Sequence, residues 1–327
     1  MTRWNLSCCA LSLSIAAALL AACGGSQPIG APGALQRTSG TATRADRGKS
    51  WMSPGTSSGD LVYATGGCGG SCVISYPDLK LVGAISTSGS AICSDGQGNI
   101  FISRDDKVIE YAHGATEPIA TLSVPGSFAD GCSVDPLTND LAVVYSGSVA
   151  IFQNEQGTPT SYVTHIQGYY CGYDDNGNLF VNGLNSGSAA LSELPKGGSK
   201  FSVLTIDKSV GAPGQVQWDG KYVTYESVLP EPGKIFQLAI SGSVATVVGT
   251  TKLRSVPHRI FQSWIYNGTV LVPFNIRGTR PNVVGLWDYP RGGKVAHTIR
   301  KFDSYKKQTI SFQGVTVSVA PSEVSTR

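Results

Sequence analysis

The chain has 327 residues, 41% hydrophobic and only 14% charged, against about 25% charged in an average globular protein. Its formal net charge of +3 gives no support to a nucleic-acid partner, and no helical periodicity of useful length follows the first 22 residues, which excludes a helical bundle. With 40 Gly, 17 Pro and much Val, Ile, Thr, Tyr and Ser, the composition is that of many short strands joined by tight turns.

In chain order, Met1–Asn5 carries a single positive charge at Arg3, and Leu6–Ala22 is an uncharged run rich in Leu and Ala. That run is short for a membrane-spanning helix, which needs roughly 20 apolar residues, and it has the length of a signal-peptide core. It ends in Leu20-Ala21-Ala22-Cys23, which resembles the lipobox of bacterial lipoproteins. The resemblance implies cleavage before Cys23, acylation of that cysteine, and attachment to a membrane. Gly rather than Asp at position 24 implies no inner-membrane retention, hence the outer membrane if the cell is Gram-negative, with the protein facing the periplasm or the surface. Loss of residues 1–22 takes only Arg3 among charged groups, leaving +2. Residues 23–58 are rich in Gly, Ser, Thr, Ala and Pro with scattered basic residues; such a segment buries too little apolar surface to order itself and is expected to be a flexible tether.

Beyond the tether one element recurs: an apolar strand, a turn on Asn, Asp or Gly, and a second apolar strand. It reads Ile92-Cys93-Ser94-Asp95 before Gly98-Asn99-Ile100-Phe101-Ile102, then Cys132-Ser133-Val134-Asp135 before Asn139-Asp140-Leu141-Ala142-Val143. It returns as Cys171-Gly172-Tyr173-Asp174 before Gly177-Asn178-Leu179-Phe180-Val181, and more loosely at 216–223 and 264–272. Asp60-Leu61-Val62-Tyr63 supplies a turn and second strand alone. Each copy precedes another hairpin, for example Val73–Pro77 with Leu81–Ile85 and Leu286–Pro290 with Val295–Ile299. The turns at 60, 99, 140, 178, 221 and 269 are separated by 39, 41, 38, 43 and 48 residues. Four strands at that period predict an all-β fold, a six-bladed β-propeller over 59–320 with four-stranded blades. The first blade lacks its first strand, and Gln313–Ser318 has the pattern of one with no blade after it. The C-terminal strand is therefore expected to complete blade one and close the ring, followed by a tail at 321–327.

Of eight cysteines, Cys8 and Cys9 leave with the signal peptide and Cys23 takes the lipid. Export implies an oxidising compartment, where disulfides persist. Cys68-Gly69-Gly70-Ser71-Cys72 is flexible enough to close a local Cys68–Cys72 disulfide, whereas zinc wants a second ligand pair that the sequence lacks. Cys93, Cys132 and Cys171 remain, an odd set. Cys132 and Cys171 are equivalent in successive repeats; Cys93 is displaced by one residue and expected to face the other way. They read either as small packing thiols or as a bridge between blades, Cys132–Cys171 or one involving Cys93. Asp95, Asp135 and Asp174 sit in Asn/Gly turns that faintly resemble calcium loops. Asn185 stands where the closing Glu would be, so they are expected to be backbone-bonding turns. His113, His165, His258 and His297 form no catalytic spacing, and neither a metal site nor a cofactor is expected.

Cys132-Ser133-Val134-Asp135, Asp174–Val181, Val216-Gln217-Trp218-Asp219-Gly220 and Leu286–Pro290 resemble NHL-type propellers, and more narrowly a group of bacterial propeller lipoproteins, over 59–320. Cys132 and Cys171 stand where the NHL strand usually has Ile, so the resemblance implies the fold and no activity. Ligands of such rings sit where loops from several blades converge. Strand counting places Arg104, Asp130, Tyr169, Tyr170, Glu226, Arg259 and Arg277 at that mouth as candidate contacts. The expected function is a non-catalytic binding scaffold at the cell envelope, monomeric, membrane-held through its lipid, with a protein, small-molecule or glycan ligand. Two alternatives are a metal-dependent hydrolase or lactonase of the gluconolactonase kind, recruiting Glu226, Asp130 and Asn182, and a quinone-dependent sugar dehydrogenase, whose cofactor-gripping residues the sequence does not present.

Overall fold

The computed structural model describes residues 49–321 apart from 231, 255, 257–259, 261, 275–282 and 301–310. The expected signal peptide, Cys23, most of the expected tether, Arg259, Arg277, His258 and the tail after 321 lie outside the described residues.

Strands β1 (Trp51–Met52), β2 (Leu61–Gly67), β3 (Gly70–Ser75) and β4 (Leu81–Ile85) begin the first sheet. The second holds β5 (Ala91–Ser94), β6 (Ile100–Arg104), β7 (Lys107–Tyr111) and β8 (Ala120–Ser123), and the third β9 (Ala129–Val134), β10 (Leu141–Tyr145), β11 (Ser148–Phe152) and β12 (Thr160–Val163). Then come β13 (Gln167–Tyr173), β14 (Leu179–Asn185), β15 (Ser188–Leu194), β16 (Ser202–Ile206), β17 (Ala212–Trp218), β18 (Val223–Leu229), β19 (Lys234–Ser241) and β20 (Val244–Lys252). The last sheet is β21 (Trp264–Tyr266), β22 (Thr269–Phe274), β23 (Val283–Asp288) and β24 (His297–Ile299), and the final strand is β25 (Gly314–Ser318). Two 3-10 turns, Thr56–Ser58 and Gln153–Glu155, are the only helical pieces among the described residues. No helix there is long and apolar enough to cross a membrane.

Each unit is a four-stranded antiparallel meander. The C-terminal β25 returns beside β2 in the register Leu61↔Ser318 to Thr65↔Gly314, so the two ends of the chain share the first sheet. His113 bridges that closure, bonding Ser318 Oγ at 2.6 Å and the Gly59 carbonyl at 3.1 Å. The strands β25, β5, β9, β13, β17 and β21 lie against one another in that cyclic order, so the sheets are arranged as in a propeller.

The hydrogen-bonded sheets number five among the described residues, not the six expected. Strands β19 and β20 are the two longest, and β20 extends far enough to pair in parallel with β16 over Thr205↔Val244 and Ile206↔Ala245. The Asp207 carboxylate accepts the Val247 N–H at 2.8 Å and fixes the junction. Two four-stranded units thereby become one eight-stranded sheet, whose end strands β13 and β17 lie side by side.

Within residues 49–58, expected as the end of the tether, one short strand joins the first sheet. Trp51 and Met52 pair with Ala84 and Gly83 and cover the outer edge of β4, a protection that open sheet edges require.

The core lies between sheets. Val62 and Ile74 face the last sheet with Leu271 and Val284, while Tyr63 and Val73 on the same strands face the second sheet with Ile92 and Ile102. The same alternation separates Phe101 from Ile102 and Val143 from Val144. Strands buried on both faces need continuous apolar runs, which explains Leu61–Ala64, Ile100–Ile102 and Leu141–Val144 and the low charge content. Each Val, Leu, Ile or Phe so buried contributes about 1.5–3 kcal/mol.

The face rule also settles the cysteines. Cys132 faces back toward the second sheet, and Cys93, displaced by one residue in its repeat, faces forward to meet it; a disulfide joins them with Cα atoms 5.7 Å apart. The packing-thiol reading is corrected for these two. Cys171 also faces backward, but the forward-facing residue of β9 is Ser133, whose hydroxyl accepts the Tyr173 N–H at 3.1 Å, so Cys171 stays a free buried thiol. A second disulfide, Cys68–Cys72, closes the β2–β3 turn with Cα atoms 5.1 Å apart.

Candidate functional site

The inner strands carry irregularities at matching depth. Register shifts interrupt β9/β10 between Val143 and Tyr145, β13/β14 between Gly168 and Tyr170, and β17/β18 between Pro213 and Val216. Bulges re-aim side chains, and these three lie where Asp130, Tyr169 and Gln215 stand. Close approach between strands sharpens the arrangement: a Cβ on Gly131 would meet Tyr170 Cα at 2.6 Å, so only glycine fits there.

Three of the expected contacts come together. Glu226 of β18 is 1% exposed, and burial pushes its carboxyl up to about 7 although the Gln215 N–H (3.1 Å) and the Ser263 hydroxyl (3.0 Å) donate to Oε2. Asp130 of β9, half-buried, is raised to about 6 by desolvation. Tyr170 of β13 stands between them electrostatically: burial, then the charges of Glu226 and Asp130, raise its phenol far above the usual value. Glu226 Oε1 and Gln215 Oε1 are both buried and have no hydrogen-bond donor among the described residues. A carboxyl raised toward neutrality, with one of its own oxygens and the neighbouring Gln215 Oε1 unpartnered, can hold a proton or receive a donor from a ligand.

The other expected residues behave differently. Tyr169 is half-buried beside Tyr170, and Arg104 is exposed, with its neighbour Asp105 as its one ion partner among the described residues, at 3.4 Å. Asn182, which a metal-dependent hydrolase would recruit, accepts the Tyr170 N–H at 3.3 Å and donates to the Gly214 carbonyl at 2.7 Å. Its amide thus ties β13 to β17. No group of three His, Cys, Asp or Glu among the described residues is placed to hold a metal ion. Asp95 and Asp174 each accept two backbone N–H groups of their own turns and an Asn side chain, so their oxygens are committed to the turn.

Two clefts lie at the opposite ends of the strands. One cleft of about 580 Å³ runs between the β13–β16 and β17–β20 units, lined by Asp174, Glu193, Trp218, Lys221 and Tyr222 among others. A second, of about 630 Å³, lies between the β17–β20 unit and the last sheet. Strand counting missed both, because it looked only where the inter-unit loops converge. The available signal was a cluster of aromatics beside strand–turn junctions: Trp218, Tyr222, Tyr266 and Tyr289.

No family model matches the chain, and no curated protein matches it. Among solved structures, it is similar to a chain of a nidogen/laminin complex, with a TM-score of 0.61 and 13% identity over 80% of this chain and 98% of that one. It is likewise similar to a protein of unknown function from Bacteroides caccae, with a TM-score of 0.59 and 13% identity over 80% and 99%. At such identity the likeness shows the fold alone, and the fold is a β-propeller.

Proposed function

We propose that this chain is a lipid-anchored, six-bladed propeller of NHL type that acts at the bacterial cell envelope as a non-catalytic binding platform. Counting the eight-stranded sheet as two blades joined at their outer strands gives six. Six buried clusters, one between each pair of successive units, favour that count, as does the repeat of 38 to 48 residues. The lipobox at Leu20–Cys23 supports the anchor. A Cys23→Ala variant is expected to move from the membrane to the soluble fraction, and retention in the membrane would count against the anchor.

Ligand binding at the mouth rests on one observation, the two buried oxygens without donors at Glu226 and Gln215, beside a second carboxyl at Asp130. Unneutralised acceptors of this kind select a group that donates hydrogen bonds, an amine foremost. Arg104 and Tyr169 belong to the rim of the same proposed site, to which strand counting alone adds Arg259 and Arg277. Thermal unfolding of the purified mature protein at pH 7.5 with ethanolamine, lysine or spermidine tests the reading. At least one amine is expected to raise Tm in the wild type and not in Glu226→Gln, with glucose inert. Equal response of the two proteins, or none in either, removes the mouth as the ligand site.

A further inference from the structure

The cleft between the β17–β20 unit and the last sheet carries a different chemistry from the mouth. Trp218 ends β17, and the turn after it is held by Asp219, whose Oδ1 accepts the N–H groups of Lys221 and Tyr222 at 2.9 and 2.7 Å. Gly220 makes the turn possible at φ +93°, a backbone region that side chains disfavour. From the facing unit come Tyr266 and Tyr289.

Both of those phenols are already committed. Tyr289 donates to Asp219 Oδ2 at 2.6 Å and accepts from Gln237 at 3.3 Å, and Tyr266 donates to Asp60 at 2.7 Å while Tyr76 braces its ring edge-on at 5.9 Å. The rings are thus locked in place, and what they offer a ligand is their faces. Two groups remain uncommitted. Trp218 Nε1–H is buried and has no acceptor among the described residues. The Lys221 ammonium lies 5.0 Å over the Tyr222 ring and has no carboxylate partner among the described residues.

We propose that this cleft binds a sugar ring bearing a carboxylate, a uronic acid or a short oligouronide. The apolar C–H face of the sugar packs on the aromatic rings that line the cleft, Trp218 among them, and the carboxylate pairs with Lys221. The volume of about 630 Å³ lies within the roughly 300–1,000 Å³ of small-molecule sites and admits a disaccharide. A single unpaired ammonium matches one carboxylate better than a phosphate, which carries about −1.5 to −2. The adjoining 580 Å³ cleft shares Trp218, Lys221 and Tyr222 but adds the two carboxylates of Asp174 and Glu193, whereas the one carboxylate lining this cleft, Asp219, is held by the Lys221 and Tyr222 N–H groups and the Tyr289 hydroxyl, so an anionic ring is directed to the Tyr266 and Tyr289 side.

The test is titration of the purified mature protein with digalacturonate, followed by the indole N–H resonances, with neutral cellobiose and AMP run in parallel. The Trp218 resonance, assigned by its absence in Trp218→Phe, is expected to shift with digalacturonate. Cellobiose is expected to bind at least tenfold more weakly. Lys221→Met is expected to bring the two sugars to equal affinity while leaving the unfolding temperature unchanged, since Lys221 is exposed. No shift at Trp218, an unaltered digalacturonate affinity in Lys221→Met, or tighter binding of AMP would each overturn the proposal. Glu226→Gln serves as the control that separates this cleft from the mouth, since it leaves digalacturonate binding intact.

Discussion

At the scale of single residues the most consequential group is Glu226. Its folded carboxyl titrates at about 7 against the usual 4.5, so the folded protein holds a proton that the unfolded chain releases. The sign follows: the associated stability is fully present below about 4.5 and is lost as pH rises through 7. At about 1.4 kcal/mol per unit, the change is on the order of 3.5 kcal/mol for so buried a group. Glu155, raised to about 8 by burial and then by Asp95 and Glu110, adds to the same slope, weakened by its partial exposure to solvent. Denaturant unfolding is therefore expected to show greater stability at pH 5 than at pH 8. Glu226→Gln should remove its share of that difference, with Glu155 and Asp130 keeping the rest; an undiminished slope in the variant would place the proton elsewhere. That Glu226 is a titrating group was not legible in the sequence, since nothing local to β18 announces that Ser263, 37 residues away, and Gln215 surround it.

At the scale of elements, local turn chemistry and long-range pairing separate cleanly. The turns at Asp95, Asp135 and Asp174 were legible, because an Asp that caps N–H groups two to four residues ahead needs only contiguous sequence. The Cys93–Cys132 bridge was within reach of the same alternation rule that placed Cys93 on the opposite face; what was missing was which faces oppose across an interface. Closing a 39-residue separation constrains the unfolded chain by about 4 kcal/mol on the chain-entropy estimate, and the four-residue Cys68–Cys72 loop by about half that. Replacing Cys93 and Cys132 together by Ser is expected to lower the guanidinium midpoint more than the same change at Cys68 and Cys72. The reverse order would mean that the short loop stabilises the fold by more than its entropy. The β16–β20 pairing had no counterpart in the sequence reading, since two outer strands meet only if a hairpin outgrows its neighbours.

At the scale of the whole molecule, closure is the feature on which the rest depends. Strand β25 contributes Val315 and Val317 to the cluster that joins the first and last sheets, and its backbone satisfies the inner edge of β2. A chain ending after Gln313 would expose that edge and the apolar faces of Val62 and Leu271. It is expected to elute as aggregate on size exclusion, whereas a chain ending after Pro321 elutes as the intact protein does; a monomeric folded product from the shorter chain would show that closure is dispensable.

The sequence by itself determined the repeat, the all-strand composition, the turn chemistry, the returning C-terminal strand and the local Cys68–Cys72 loop. All of these are written in residues a few positions apart or in a period that recurs along the chain. Only the tertiary structure decided which cysteines face one another, the fusion of two units into one sheet, the protonated environment of Glu226, and the cleft beside Trp218. Each of these depends on the angle and offset at which neighbouring sheets pack, which no short stretch of sequence encodes. Asp130, Tyr170 and Glu226 fall between the two cases: strand counting placed them at one mouth, and packing alone brought their charges to bear on one another.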